Sequence, residues 1–201
     1  MMNIAVFVSG RGTNLQAIID EVSRGLIKAK VALVVSDKGD AYALTRAKKA
    51  GIEAFVLSPG GFKTREDYDK KIVEELKKHN VGLIVLAGFM RLLSGYFVKQ
   101  YENKIMNIHP ALLPSFKGMH SIKDAFECNA KETGVTVHFV DEELDHGPII
   151  LQEVVNVDEN DTLESLEEKI HEVEHKLYPE AIRLFVEGKL KIEGKKVSRG
   201  G

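Results

Sequence analysis

Asn107 and His109 stand two residues apart in KIMNIHP (104–110), so in extended chain they share one face. An amide beside an imidazole can donate to a carbonyl oxygen that is gaining negative charge. Pro110 stops the strand at that point. Further along, DEELDHGP (141–148) gathers four carboxylates in a short loop, with Asp145 close to Gly147-Pro148, where the chain must turn. A carboxylate near His109 would favour the imidazolium and hold one ring orientation. Spacing alone does not decide whether the two meet. Asp141, Glu142 and Glu143 read as a solvated acidic turn.

A second kind of chemistry is offered by SGRGTNLQ (9–16), which follows an apolar run and opens a helix. Its glycines let backbone N–H groups turn inward, and a helix N-terminus favours an anion, so the stretch suits a phosphate. Leu15 stands where the third glycine of a dinucleotide fingerprint belongs, which weakens a nicotinamide-cofactor reading.

HEVEH (171–175) matches the H-E-x-x-H pattern of zinc proteases. The apolar stripe Leu163, Leu166, Ile170, Val173 and Leu177 defines the inward face of its helix. His175 lies about 165° from the stripe's centre, His171 about 125° and Glu174 about 65°. Both histidines are thus expected in solvent, with Glu174 at the edge of the buried face. No third ligand follows, and Pro179 is expected to break the helix soon after. Zinc is therefore not expected, and Glu174 is the residue of interest. Lys63, Arg65 and Arg91 read as surface charges that could equally hold an acidic ligand tail.

The elements that must position these groups alternate. Strands are expected at 3–8, 30–36, 53–57 and 81–87, and helices at 14–25, 43–51 and 64–80, the last with Thr64 and Asp67 placed like a capping box. This βαβαβαβ order predicts an α/β fold, a doubly wound, mostly parallel sheet with right-handed crossovers. VGLIVLA (81–87) is nearly all apolar, as a strand buried on both faces should be. Strands at 135–140 and 148–157 suggest an antiparallel extension, and a long helix starts near Asp161. Residues from about Lys195 are expected to fray. Ligands of such sheets bind beyond the carboxyl ends of the strands, which directs attention to the loops 9–14, 58–65, 87–93 and 107–120.

The 201 residues, 44% hydrophobic and 29% charged, suit one globular domain with a substantial core. A formal net charge of −2 argues against nucleic acid as the main partner. The single cysteine, Cys128, excludes an internal disulfide and reads as a small buried residue on a helix. No stretch approaches a membrane span and no leader is evident, so a cytoplasmic protein without membrane contact is expected.

Taken together, SGRGTNLQAIID, AGFMRLL, NIHPALLPSFKGMH, GVTVHFVDEELDHGPIILQ and EHKLYPEAIRLF resemble the folate-dependent phosphoribosylglycinamide formyltransferase family, in order and over nearly the whole chain. The resemblance implies a single formyltransferase domain over 1–201, with the ribonucleotide phosphate bound in the half 1–100 and folate and catalysis in the half 101–190. It implies formyl transfer from 10-formyltetrahydrofolate, as co-substrate, to the amine of glycinamide ribonucleotide in purine synthesis. No metal is implied, and the partners are small molecules. The catalytic trio falls on Asn107, His109 and Asp145. The ribonucleotide contacts fall on Gly12, Thr13, Asn14 and Glu174. Folate contacts fall on Arg65, on Met90, Arg91, Leu92 and Leu93, on Asn107, and on Asp141, Glu142, Glu143, Leu144 and Asp145. Lys117 departs from an expected proline, and His146 from a common glycine.

Three rivals remain. A formyltetrahydrofolate hydrolase would use water as acceptor and need no phosphate cradle. A non-catalytic nucleotide or folate sensor would not need Asn107, His109 and Asp145. A methionyl-tRNA formyltransferase would want a basic surface and a second domain.

Overall fold

The computed structural model describes residues 1–200, in two compact units, Met1–Asn107 and the residues from Ile108 onward. The first unit runs β1 (Met2–Val8), α1 (Thr13–Ser23), β2 (Ala29–Ser36), α2 (Tyr42–Lys49), β3 (Ala54–Val56), α3 (Arg65–Lys78), β4 (Val81–Leu86), α4 (Gly95–Gln100) and most of β5 (Ile105–His109). β1 pairs in parallel with β2 and β4, β2 with β3, and β4 with β5. Ile4 to Val8 and Leu83 to Val85 are fully buried, which is why these strands read as unbroken apolar runs rather than alternating ones. Because the strands are parallel, Ser9, Asp37 and Ala87 all follow carboxyl ends on the same side of the sheet.

Thr64 caps α3 by accepting from the Asp67 N–H at 3.1 Å, and its hydroxyl donates to the Asp67 carboxylate at 2.8 Å. Aspartate is one methylene shorter than the usual glutamate, and meets the cap's side chain.

The second unit holds α5 (Ser121–Glu127), β6 (Glu132–Phe139), β7 (Ile149–Asn156), α6 (Leu163–Val186), β8 (Leu190–Glu193) and β9 (Lys196–Arg199). β6 and β7 pair antiparallel from Glu132↔Asn156 to His138↔Ile149, the expected extension. The complete strand order is β3-β2-β1-β4-β5-β6-β7, with β8-β9 apart. α6 packs on both β6 and β7, and buries Leu166, Ile170, Tyr178 and Ile182 with Val135, Val137 and Phe139 of β6 in the unit's core.

Three expectations are corrected here. The segment from Lys195 does not fray, since Lys196–Arg199 pairs with Leu190–Glu193 through a tight turn in which Gly194 adopts φ 59°. Pro179 does not break α6, which continues to Val186. An interior proline costs about 3 kcal/mol, and burial of Ala181, Ile182 and Leu184 beyond it offsets that cost. Cys128 is exposed rather than buried, because α5 ends at Glu127 and its buried face consists of Ser121 and Ala125. Among the described residues no helix is long and apolar enough to cross a membrane.

Candidate functional site

In the first unit the loop after β1 is shaped by what packs on it. Gly12 is the N-cap of α1, with φ 71°, and a Cβ there would lie 2.6 Å from Ala43 Cβ and 2.9 Å from Ala43 Cα. Only glycine accepts both the left-handed backbone and the close approach. The Ala43 N–H donates to Gly10 O at 3.0 Å, and Arg46 Nε donates to Arg11 O at 2.9 Å. α2 thus engages the carbonyls of Gly10 and Arg11. Gly12 caps α1 with no side chain, and the helix's first turn carries no acid to offset its positive end. Thr13 is half-buried and Asn14 buried at that end.

The loop after β4 presents Met90 and Leu92 as exposed apolar side chains, with Leu93 half-buried. The Arg91 guanidinium lies over the Tyr68 ring, 4.7 Å from its centroid. Burial pushes the Tyr68 hydroxyl up to about 12, and that hydroxyl donates to Leu57 O at 2.9 Å. Asp69 accepts from the Ser94 N–H at 2.6 Å, and burial raises its carboxyl above the usual range. Arg65 is exposed at the start of α3.

β5 carries Asn107, half-buried, and ends at His109, which is buried. The chain beyond it is ordered by Thr136, whose hydroxyl donates to Ala111 O at 2.7 Å and accepts from the Leu113 N–H at 3.1 Å. His109 Nδ1 lies 3.5 Å from Asp145 Oδ2, and Nε2 lies 2.8 Å from Phe116 O. Asp145 Oδ2 also accepts from the Gly118 N–H at 3.0 Å. His109 and Asp145, far apart in sequence, are therefore together.

Two members of this cluster escaped the sequence reading. His138 Nε2 lies 3.8 Å from Asp145 Oδ1, while Nδ1 lies 2.7 Å from Phe139 O. Burial lowers His138 below the usual histidine range, against the pull of the Phe139 carbonyl and Asp145. The only signal in the sequence was a polar residue inside the apolar run VTVHFV. Phe116 supplies a backbone carbonyl, with φ 51°, which no side-chain pattern announces.

The 141–146 loop is self-ordered. Asp141 Oδ1 accepts from the Glu143 N–H at 2.9 Å, and Oδ2 lies 2.8 Å from His146 Nδ1. The Lys195 ammonium, in the β8–β9 turn, lies 2.8 Å from His146 Nε2. An ammonium can only donate, so Nε2 accepts and the Nδ1–H points to Asp141. Asp141 is thus engaged rather than merely solvated, whereas Glu142, Glu143 and Leu144 are exposed. Gly147 passes so close to β6 that a Cβ there would lie 2.0 Å from Phe139 O, which fixes how Asp145 is delivered.

On α6, Glu174 is buried, as its angular position predicts. His171 is exposed, but His175 is half-buried with its Nε2 shielded, not solvent-facing, and stacks on His171 at 6.3 Å. α6 packs on α5 as well as on the sheet strands, so a wider arc of it is covered than the apolar stripe alone defines.

Residues 2–182 match the Formyl transferase family. The chain is 44% identical over 191 residues to the phosphoribosylglycinamide formyltransferase of Escherichia coli, covering 95% of this chain and 90% of that protein. It is 46% identical over 195 residues to the trifunctional purine biosynthetic protein adenosine-3 of Chironomus tentans, across 96% of this chain but only 14% of that much longer protein. The crystal structure of glycinamide ribonucleotide transformylase 1 from Symbiobacterium toebii superposes with a TM-score of 0.97 at 47% identity, covering 100% of this chain and 95% of that one. The chain belongs to the formyl transferase family, among its phosphoribosylglycinamide formyltransferases.

Proposed function

We propose that the protein transfers the formyl group of 10-formyltetrahydrofolate to the amine of glycinamide ribonucleotide, in purine biosynthesis. The observation that carries this reading is the buried His109–Asp145 pair at the end of β5, in a chain of this family. The acceptor amine attacks the formyl carbon, and the carbonyl electrons move onto oxygen. The Asn107 amide and a His109 N–H donate to that oxyanion. One such donor contributes roughly a hundredfold to a thousandfold in rate. Collapse breaks the bond from carbon to folate N10, and the proton lost by the amine passes to N10 through a water that Asp145 positions. Holding two bound substrates in line supplies much of the remaining acceleration. No step requires a metal ion or a covalent enzyme intermediate.

Gly12, Thr13 and Asn14 would take the ribonucleotide phosphate, and Glu174 the glycinamide amine. Arg65, residues 90–93 and the 141–145 loop would take the folate. The hydrolase reading is disfavoured by the glycine-shaped anion loop, for which water as acceptor has no use. The test is a spectrophotometric assay with 10-formyltetrahydrofolate, run with and without glycinamide ribonucleotide. Deformylation only with the ribonucleotide supports transfer, and equal rates in buffer alone would make the chain a hydrolase.

A further inference from the structure

Ser9 and Asp37 follow the carboxyl ends of β1 and β2, and both are buried. The Ser9 hydroxyl lies 2.6 Å from Asp37 Oδ1, and the Met90 N–H donates to the same hydroxyl oxygen at 2.9 Å. A carboxylate can only accept, so the Ser9 proton points to Asp37 and a lone pair is left facing Met90. The short, charge-assisted bond fixes that direction.

The segment it meets is held otherwise by side chains, Phe89 edge-on to Phe7 at 5.2 Å and Arg91 over Tyr68 at 4.7 Å. Gly88 to Leu93 carries no helix or strand, and Gly88 has φ 75°. Its flanks are tied by Ala87 N–H to Phe7 O at 2.8 Å and by Ser94 N–H to Asp69 at 2.6 Å. Between those two ties, the Ser9 hydroxyl anchors the backbone at the residue whose side chain stands out to solvent.

We infer that Ser9 and Asp37 are positioning residues for the formyl donor, although Ser9 belongs to the stretch that shapes the phosphate loop. This rests on the reading that residues 90–93 contact the folate. The Asp37 carboxylate orients the Ser9 hydroxyl, the hydroxyl holds the Met90 amide, and the amide sets where Met90 to Leu93 stand when the donor arrives. Removing the hydroxyl leaves a buried carboxylate and a backbone N–H without their partner, so the loop relaxes away from its prepared shape.

The experiment compares Ser9→Ala, Ser9→Thr and Asp37→Asn with the unsubstituted protein. Both KM values and kcat are measured, with amide hydrogen exchange on the substrate-free proteins. Ser9→Ala is expected to raise the KM for 10-formyltetrahydrofolate about tenfold, with the KM for glycinamide ribonucleotide within about twofold. Exchange should quicken in residues 88–93 and stay unchanged in β1, and Ser9→Thr should restore most of both effects. If both KM values rise alike, or exchange in 88–93 does not change, the positioning role is overturned. An unsubstituted protein that does not turn over the folate donor would instead refute the proposed function itself, whatever the exchange data show.

Discussion

The Asp145 carboxylate lies 3.5 Å from His109 Nδ1 while the Phe116 carbonyl faces the ring's other nitrogen at 2.8 Å, so both nitrogens of His109 address oxygens that only accept. A substrate oxyanion can therefore take the Nε2–H only by replacing Phe116 O there, while Asp145 holds the ring from the Nδ1 side.

Asp145→Asn keeps the size of the side chain and an oxygen for the Gly118 N–H, but removes the charge. We expect kcat to fall about a hundredfold or more while the folate Kd changes little. Steady-state kinetics beside a fluorescence titration of folate would check it, and equal losses in both would sink the role given to Asp145.

Gly12→Ala meets two separate obstacles, a φ of 71° and an Ala43 Cβ at 2.6 Å. Together they should destabilise the fold by about 1–3 kcal/mol and raise the KM for the ribonucleotide. Adding Ala43→Gly removes the 2.6 Å Cβ contact but leaves the Ala43 Cα at 2.9 Å and the backbone strain. The double variant should therefore recover part of the stability in urea melts, and full recovery would show the backbone conformation to be unimportant.

Glu174→Gln tests the acceptor side. The carboxylate is buried on α6, so a neutral isostere disturbs packing little. The KM for glycinamide ribonucleotide should rise about tenfold, the cost of one charge-assisted bond, and the donor KM should not move. A change confined to the donor would overturn the assignment.

His138 gives a pH dependence of stability. Burial lowers its folded-state value below the ordinary one near 6.5, and Asp145 opposes that while His109 adds to it. Between the lowered value and the ordinary one the unfolded chain binds more protons, so stability falls as pH drops through that window and levels off below it. Urea unfolding at several pH values between about 7.5 and 5 should show this slope. In His138→Gln it should be shallower, and an unchanged slope would assign it to other groups.

The parallel strands were legible because burial on both faces leaves an unbroken apolar signature, as in Ile4 to Val8. The inward turn of Glu174 was legible because one helix has one period. What the chain hid depends on distant partners. Nothing in 107–109 says that Asp145 will arrive beside it, and His138 acquires its place only when β6 pairs with β7. α4 and α5 are six and seven residues long, too short for a period to show. The C-terminal hairpin was missed because only Gly194 marks its turn, and the stretch LKIEGKKVSR is otherwise charged enough to read as a loose end. Pro179 misled because local preference was outweighed by the packing of the turns after it.

The strand order also sets a timetable for folding. β1 lies between β2 and β4, and its ladder to β4 joins Asn3 to Val81, across most of the first unit. Such a pairing gains nothing until a long stretch of chain has been closed, so refolding should wait on it. The β6–β7 ladder needs only the short 140–148 connection and can zip early. The ribosome would release the slow half first, which leaves β1 and β2 time to associate before β4 has been made.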